Sequence, residues 1–344
     1  MGHETSSPSR MVELDALRGI AAVAVLGYHF TTRYQEQIGH VGGVPANLRV
    51  GNYGVYLFFL ISGFVIFMTL ERTRTAADFV VSRFSRLFPA YWAALLLTAC
   101  VVYTVGLPMQ QLPAGQALLN FTMVQEILGA EHLDGSYWTL QIELFFYVQM
   151  LLWYGLGQLR RIHWIIGGWL VLATIEGLCE KNHWHFSYWA RELMILRFIP
   201  FFAIGILFYR LHRYPAEWRL NLAMLLGALL AIAIGERPVF LPVALACCAI
   251  FALFIRGKLA FLDTRFFAFL GAISYTLYLV HQSIGFVAIH HLERAGVPAW
   301  LACLGAVALS LSLATLLHRL VERPALEWIR DNWKASHVHT LVNR

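Results

Sequence analysis

Charge is scarce in this chain: Asp, Glu, Lys and Arg make up 13% of its 344 residues, against roughly a quarter in soluble proteins. A chain that is also 59% hydrophobic cannot present a water-facing surface all round, so the soluble classes are excluded and an integral membrane protein remains. Cysteine is sparse too. Cys100, Cys179, Cys247, Cys248 and Cys303 all lie in or at the ends of apolar spans without metal-ligand spacing, so neither a disulfide framework nor a metal site is expected. Internal repeats, low-complexity stretches and an appended soluble domain are not seen. A cleavable signal is not expected, because the first apolar run is too long for an h-region and no small-residue cleavage site follows it. The net charge of +6 does not point to nucleic acid. The basic residues, nearly all arginine, sit between apolar spans, where they read as topology signals and contacts to lipid headgroups.

What is present is a succession of about ten apolar spans, at 11–32, 53–70, 89–106, 137–157, 163–178, 194–209, 220–235, 239–255, 267–290 and 298–318. They give an all-α, multi-pass chain organised as one transmembrane domain over residues 1–344. Loop charge supports this count. With the N-terminus inside, the cytoplasmic segments collect Arg10, Arg72, Arg74, Arg83, Arg86, Arg160, Arg161, Arg210, Arg213, Arg219, Arg256, Lys258, Arg265 and Arg319. The opposite face holds only Arg33, Arg49, Lys181, Arg191, Arg237 and Arg294, so both termini are expected to be cytoplasmic. Aromatic pairs such as Tyr137-Trp138 and Tyr188-Trp189 fall at span ends, as interfacial belts do.

Two stretches break the pattern. Ala76 to Phe88 sets Phe79, Val80, Phe84 and Leu87 against Ser82, Arg83, Ser85 and Arg86, which predicts a short interfacial amphipathic helix with Arg83 and Arg86 on one face. Those arginines would bind anionic lipid headgroups or a substrate phosphate. Leu107 to Ser136 has no Lys or Arg and is expected outside, over the mouth of the bundle.

Chemistry must come from polar groups inside the spans. Arg18 and His29 are eleven residues apart, about three helical turns, so they share one stripe and stand about 16 Å apart along it. Ionisable groups at such depth are costly and by default functional. The alternative is that Arg18 snorkels to the headgroups and His29 satisfies a backbone carbonyl. Glu143 enters from the outer side, about 9 Å below the surface, where it would meet His29 as an orienting carboxylate or else bridge helices structurally. His281 lies well inside the ninth span, as a hydrogen-bonded packing residue or a substrate contact. His183, His185, His290 and His291 read as interfacial.

The segments ELDALRGIAAVAVLGYHF, GVYLFFLISGFVIF, SRFSRLFPAYW, GSYWTLQIELFFY, LGAISYTLYLVHQ and LVERP resemble, in order, the motifs of the membrane-bound acyltransferase type 3 family. The resemblance implies about ten spans and transfer of an acyl group, commonly acetyl, from cytoplasmic acyl-coenzyme A to a hydroxyl of a cell-envelope or exported glycan or other small acceptor. It implies that His29 is catalytic, that Arg18 and His29 form the Arg-x10-His motif, that Arg83 and Arg86 form Arg-x-x-Arg, and that Glu143 is the motif glutamate. Tyr56 stands where an acidic residue is common.

On this reading acyl-CoA is a donor substrate, with no permanently bound cofactor, and its phosphates dock on Arg83, Arg86 and Arg18. His29 takes the acceptor proton with Glu143 as catalytic partner, and Trp138, Tyr275 and His281 contact substrate. The expected location is the cell membrane, the inner one in a Gram-negative source, with lipids as neighbours. The rival reading is a proton-coupled transporter or flippase using the same ionisable residues, against which stands the missing repeat symmetry. A polyprenyl-phosphate glycosyltransferase would need large polar loops with clustered carboxylates, which are absent.

Overall fold

The computed structural model describes residues 11–342. Arg10 and the N-terminal segment, placed on the cytoplasmic side by charge, lie outside the described residues. Among those described, the chain is all-α without strands. Its helices in order are α1 (Val12–Tyr28), α2 (Tyr34–Gln37), α3 (Gly54–Arg72), α4 (Ala76–Thr104), α5 (Ala114–Leu119), α6 (Trp138–Gly155), α7 (Ile162–Lys181) and α8 (Tyr188–Leu193). Then come α9 (Ile199–Arg213), α10 (Trp218–Gly235), α11 (Phe240–Ile255), α12 (Arg265–Val280), α13 (Gln282–Arg294), α14 (Ala299–Leu317) and α15 (Arg323–Val342).

Arg49–Arg72, Ala76–Thr104, Leu159–Lys181, Pro215–Gly235 and Ala299–Ser336 are long and apolar enough to cross a membrane, and α12 with α13 makes a sixth crossing if the bent pair counts as one. Among the described residues ten is not reached on length and composition. Helices α1, α9 and α11 have 17, 15 and 16 residues, and α6 interrupts its apolar sequence with Gln141, Glu143 and Gln149.

Three expected boundaries are corrected. The interfacial helix and the third span are one helix, α4. It opens with a reciprocal cap in which Asp78 N donates to Thr75 Oγ1 and Thr75 N to Asp78 Oδ2, each at 3.1 Å. Pro89 removes the donor that Ser85 O would use. The helix continues because both halves bury one face, through Phe79, Leu87, Ala90, Tyr91 and Ala94. The ninth span is broken: α12 and α13 meet at 72°, so His281 stands at a corner and not deep in a straight helix. The helix of the last expected span does not stop near residue 318 but passes through a π-turn, His318–Glu322, into α15.

Helices in lipid gain little from hydrophobicity against each other, so close backbone approach and packing hold the bundle. A Cβ at Gly63 on α3 would lie 2.1 Å from Phe202 O on α9, and one at Gly205 on α9 would lie 2.0 Å from Leu60 O. Alongside this crossing, Phe202 stacks between Phe59 at 4.8 Å and Phe146 at 4.2 Å. Helices α1 and α12 touch in the same way: a Cβ at Gly19 would come within 2.7 Å of Leu270, and one at Gly271 within 2.4 Å of Asp15 O. This second contact fixes the stripe of α1 that carries Arg18 against the face of α12 that carries Tyr275 and Tyr278.

Candidate functional site

A cleft of about 740 Å³ of empty space, its mouth included, opens between α1, α3, α4, α6 and α12. Helix α3 gives it Val55, Phe58, Ser62 and Val65, spaced by three or four residues and therefore on one face. From Val55 to Ile66 that wall runs about 16 Å. Opposite stand Thr139, Leu140, Glu143 and Tyr147 of α6 and Ser274, Tyr275 and Tyr278 of α12. The Tyr275 hydroxyl donates to Leu87 O at 2.9 Å, tying α12 to α4.

Arg18, Arg83 and Arg86 line the cleft because the expected amphipathic helix is part of a buried one: its polar stripe faces the bundle. Arg83 lies 5.8 Å from the centre of the Phe79 ring and 6.0 Å from that of Tyr147. It donates to Ser82 Oγ at 3.0 Å, while its buried Nε makes no hydrogen bond. Arg86 pairs with Glu322 Oε1 at 3.4 Å, and the other oxygen of that buried carboxylate accepts from His318 Nδ1 at 2.8 Å. Tyr147 is the hinge of this group. Its hydroxyl donates to Glu143 Oε1, which also accepts from Ser62 Oγ at 3.1 Å, and it lies within electrostatic reach of both Arg83 and Arg18.

Glu143 therefore stands one tyrosine from Arg83 and makes its bonds to Ser62 and Tyr147; the expected Glu143–His29 pairing is not formed. Depth counted along separate helices misplaced it, because α4 carries Arg83 into the bundle. His29 is paired with His281 instead. Their rings are 4.8 Å apart, with His281 Nε2 3.2 Å from His29 Nδ1. His29 Nδ1 also lies 2.9 Å from Val25 O, and His281 Nδ1 lies 2.8 Å from Tyr278 O. Carbonyls only accept, so both Nδ1 atoms carry the proton. His281 Nε2 then offers a lone pair to His29 Nδ1–H, and the lone pair of His29 Nε2 is left unengaged by this pair. The two histidines are one ring removed from the cleft: Tyr278 lines it and sits 5.5 Å from His281. His29 also opens a π-turn, His29–Arg33, a feature found mostly at functional places.

The corner at His281 is held by the 107–136 segment. Buried Asp134 accepts from Ser283 N at 2.8 Å and from Ser136 N at 2.9 Å. The Tyr278 hydroxyl donates to Ser136 O and the Tyr137 hydroxyl to Leu279 O, each at 3.1 Å. The carbonyls and amides released where α12 breaks are thus satisfied by one loop.

Trp138 is not in the cleft. It lines a separate cavity on the other face of α6 with Gln141, Arg191, Arg197, Phe198 and Glu126. A hydrogen bond from His132 holds the Glu126 carboxyl below its ordinary range. Nearby, burial is the main reason that Glu236, 4.0 Å from Arg197, is pushed up to about 7. Among the described residues no group of three His, Cys, Asp or Glu converges as metal ligands would.

Sequence reasoning missed Tyr147, Ser62 and Asp134. Only Tyr147 carried a signal, standing four residues after Glu143 and thus on its face.

Residues 11–319 match the family described as Acyltransferase domain. The chain is 24% identical, over 93% of both sequences, to Acyltransferase MdmB of Streptomyces mycarofaciens. It is 30% identical to Nodulation protein 10 of Rhizobium leguminosarum bv. viciae over 37% of this chain and 41% of that protein. A Putative acetyltransferase ORF330 of Acidianus two-tailed virus is 26% identical over 50% of this chain and 49% of its own length. No solved structure matches the chain.

Proposed function

The chain belongs to the acyltransferase domain family, and on that premise we propose that it is an O-acyltransferase of the cell membrane, moving an acyl group, most simply acetyl, from acyl-CoA to a hydroxyl of a cell-envelope or exported glycan or a small metabolite. The observation that carries this reading is one cleft with arginines gathered around Tyr147, an apolar wall along α3, and Tyr278 leading to a histidine pair. Arg83, Arg86 and Arg18 suit the donor's phosphates by charge-assisted, forked hydrogen bonds. Val55, Phe58 and Val65 suit its thin pantetheine arm, which needs no charge partner. In this reading the family's ten crossings hold, with the arginine end of the cleft cytoplasmic and the 107–136 segment on the far side.

At the histidine pair, His29 Nε2 takes the proton of the acceptor hydroxyl as its oxygen attacks the thioester carbon. The carbon–sulfur bond breaks, and the leaving thiolate takes the proton from the imidazolium, so CoA departs as the free thiol and His29 is restored. Val25 O and His281 Nε2, both acceptors toward Nδ1–H, stabilise the imidazolium between those events. Tyr275 and Tyr278 bound the acyl end of the cleft. The role assigned here to Glu143 is to hold Ser62 and Tyr147 in place beside the donor.

The test is release of free thiol from acetyl-CoA by the purified chain in nanodiscs, supplied with an extract of cell-envelope glycans and secreted metabolites as the source of acceptor hydroxyl. Release is expected from the wild type and should fall at least about 100-fold in His29→Ala, the usual minimum for a lost general base. A transporter or flippase using the same residues would release none.

A further inference from the structure

Helix α15 begins at Arg323, after the end of the matched family domain at residue 319, yet it is built into the arginine end of the cleft. Trp333 Nε1 donates to Asp78 Oδ1 at 2.8 Å. Arg330 donates through Nε to Ser85 Oγ at 3.3 Å, and through Nη2 to Ser82 O at 3.3 Å and Ser82 Oγ at 3.1 Å. The same Ser82 hydroxyl accepts from Arg83, and Arg330 lies within electrostatic reach of both Arg83 and Arg86. Three guanidinium groups thus converge; Glu322, shared with His318, pairs with Arg86, and Glu143 stands one tyrosine from Arg83. The buried, unpartnered Nε of Arg83 marks a donor whose acceptor is not protein. Like charges so close repel, and such a cluster suits a polyanion that threads between them.

Arg83 and Arg86 line the cleft, whereas Arg330 does not; it is held beside them on Ser82 and Ser85. In a coenzyme A donor the pyrophosphate lies between the pantetheine arm and the ribose, so the phosphate farthest from the thioester is the ribose 3′-phosphate. That group carries nearly two negative charges at neutral pH. Resting on the acyl-CoA reading above, we propose that Arg330 is the fourth arginine of the donor site, after Arg18, Arg83 and Arg86, and binds the 3′-phosphate, so that α15 selects coenzyme A over carriers that lack it. Nη1, unused in the bonds to Ser82 and Ser85, is the nitrogen available for this contact.

The experiment is titration calorimetry of the full chain in nanodiscs with coenzyme A and with 3′-dephospho-coenzyme A, for the wild type, Arg330→Gln and Arg330→Lys. The wild type is expected to bind coenzyme A about tenfold or more tightly than the dephospho form, the usual weight of one charged hydrogen bond. The ratio should fall toward one in Arg330→Gln and stay largely intact in Arg330→Lys. If Arg330→Gln weakens both compounds alike, or leaves the ratio unchanged, Arg330 only staples α15 to α4 and the assignment is overturned. Equal affinities in the wild type overturn it without any variant, leaving the donor reading in place. Failure of the wild type to bind either compound overturns the donor reading itself.

Discussion

His281 can be tested as the residue that positions His29. In His281→Phe the ring still packs against Tyr278 and Phe30, whose centres lie 5.5 and 6.4 Å away. The Ser136 hydroxyl gives its one proton to Asp134 Oδ1, so Tyr278 O loses its His281 donor; that cost falls on the resting and reacting states alike and is read as a lower Tm, not as a lower kcat. What disappears is the lone pair of Nε2 at 3.2 Å from His29 Nδ1. In the resting state this bond joins two neutral rings and is worth about 1 kcal/mol. When His29 holds the acceptor's proton the same bond becomes charge-assisted, worth about 1.5–3 kcal/mol. Its loss therefore falls mainly on the transition state, the kind of loss that lowers kcat and leaves binding alone. The difference, about 0.5–2 kcal/mol, gives an expected kcat lower by about 2- to 30-fold, with the donor KM nearly unchanged, measured by thiol release at saturating acceptor. His281→Gln, which retains an acceptor oxygen, should recover part of the rate. A donor KM that rises while kcat holds, or a kcat within about twofold of wild type, would refute the reasoning and return His281 to a packing role.

Because Tyr147 joins Glu143 to Arg83, their effects on donor affinity should not add: a cycle of Arg83→Ala, Glu143→Gln and the double variant should show a coupling of about 0.5–3 kcal/mol, and a coupling near zero would separate them. Gly63→Ala places a methyl 2.1 Å from the Phe202 carbonyl and should destabilise the bundle by about 3 kcal/mol; an unchanged Tm in detergent would mean that α3 and α9 are not so closely apposed. Glu236, raised from 4.5 to about 7 mainly by burial, holds its proton more tightly folded than unfolded, so its contribution to stability is complete below 4.5 and is lost as pH rises through 7. Glu236→Gln should therefore raise Tm relative to wild type at pH 8 and not at pH 4, and an identical difference at both values would contradict that sign.

The sequence marks Arg18, Arg83, Arg86, Glu143 and Tyr275, and all five line one cleft. The reason is energetic: an ionisable group in an apolar span must be held by something, so it announces itself. Partners were far less legible. His29 was matched with Glu143 by counting depth along two helices, yet that count assumed straight, upright helices with the arginines on a separate interfacial segment. The continuous α4 and the 72° corner at His281 undo both assumptions, and neither leaves a mark in hydropathy. Trp138 adjoins Thr139 in the motif, but the step of about 100° between them puts Thr139 in the cleft and Trp138 in the neighbouring cavity.

In a soluble helix the apolar stripe names the face that meets protein. In α3 or α6 residues facing lipid and residues facing other helices are equally apolar, so periodicity cannot say which neighbour a face has. Close glycine contacts take over that role. Gly19 against Leu270 and Asp15 O against Gly271 set α1 on α12 at a separation that admits no intervening side chain. With α1 and α12 locked, the register that puts Arg18 at the cleft also brings His29, three turns on, to the corner where Asp134 holds the chain open at His281. The pairing of the two histidines is thus a consequence of backbone packing about three to four turns below them, which explains why it could not be found by looking for a charged partner at the same depth.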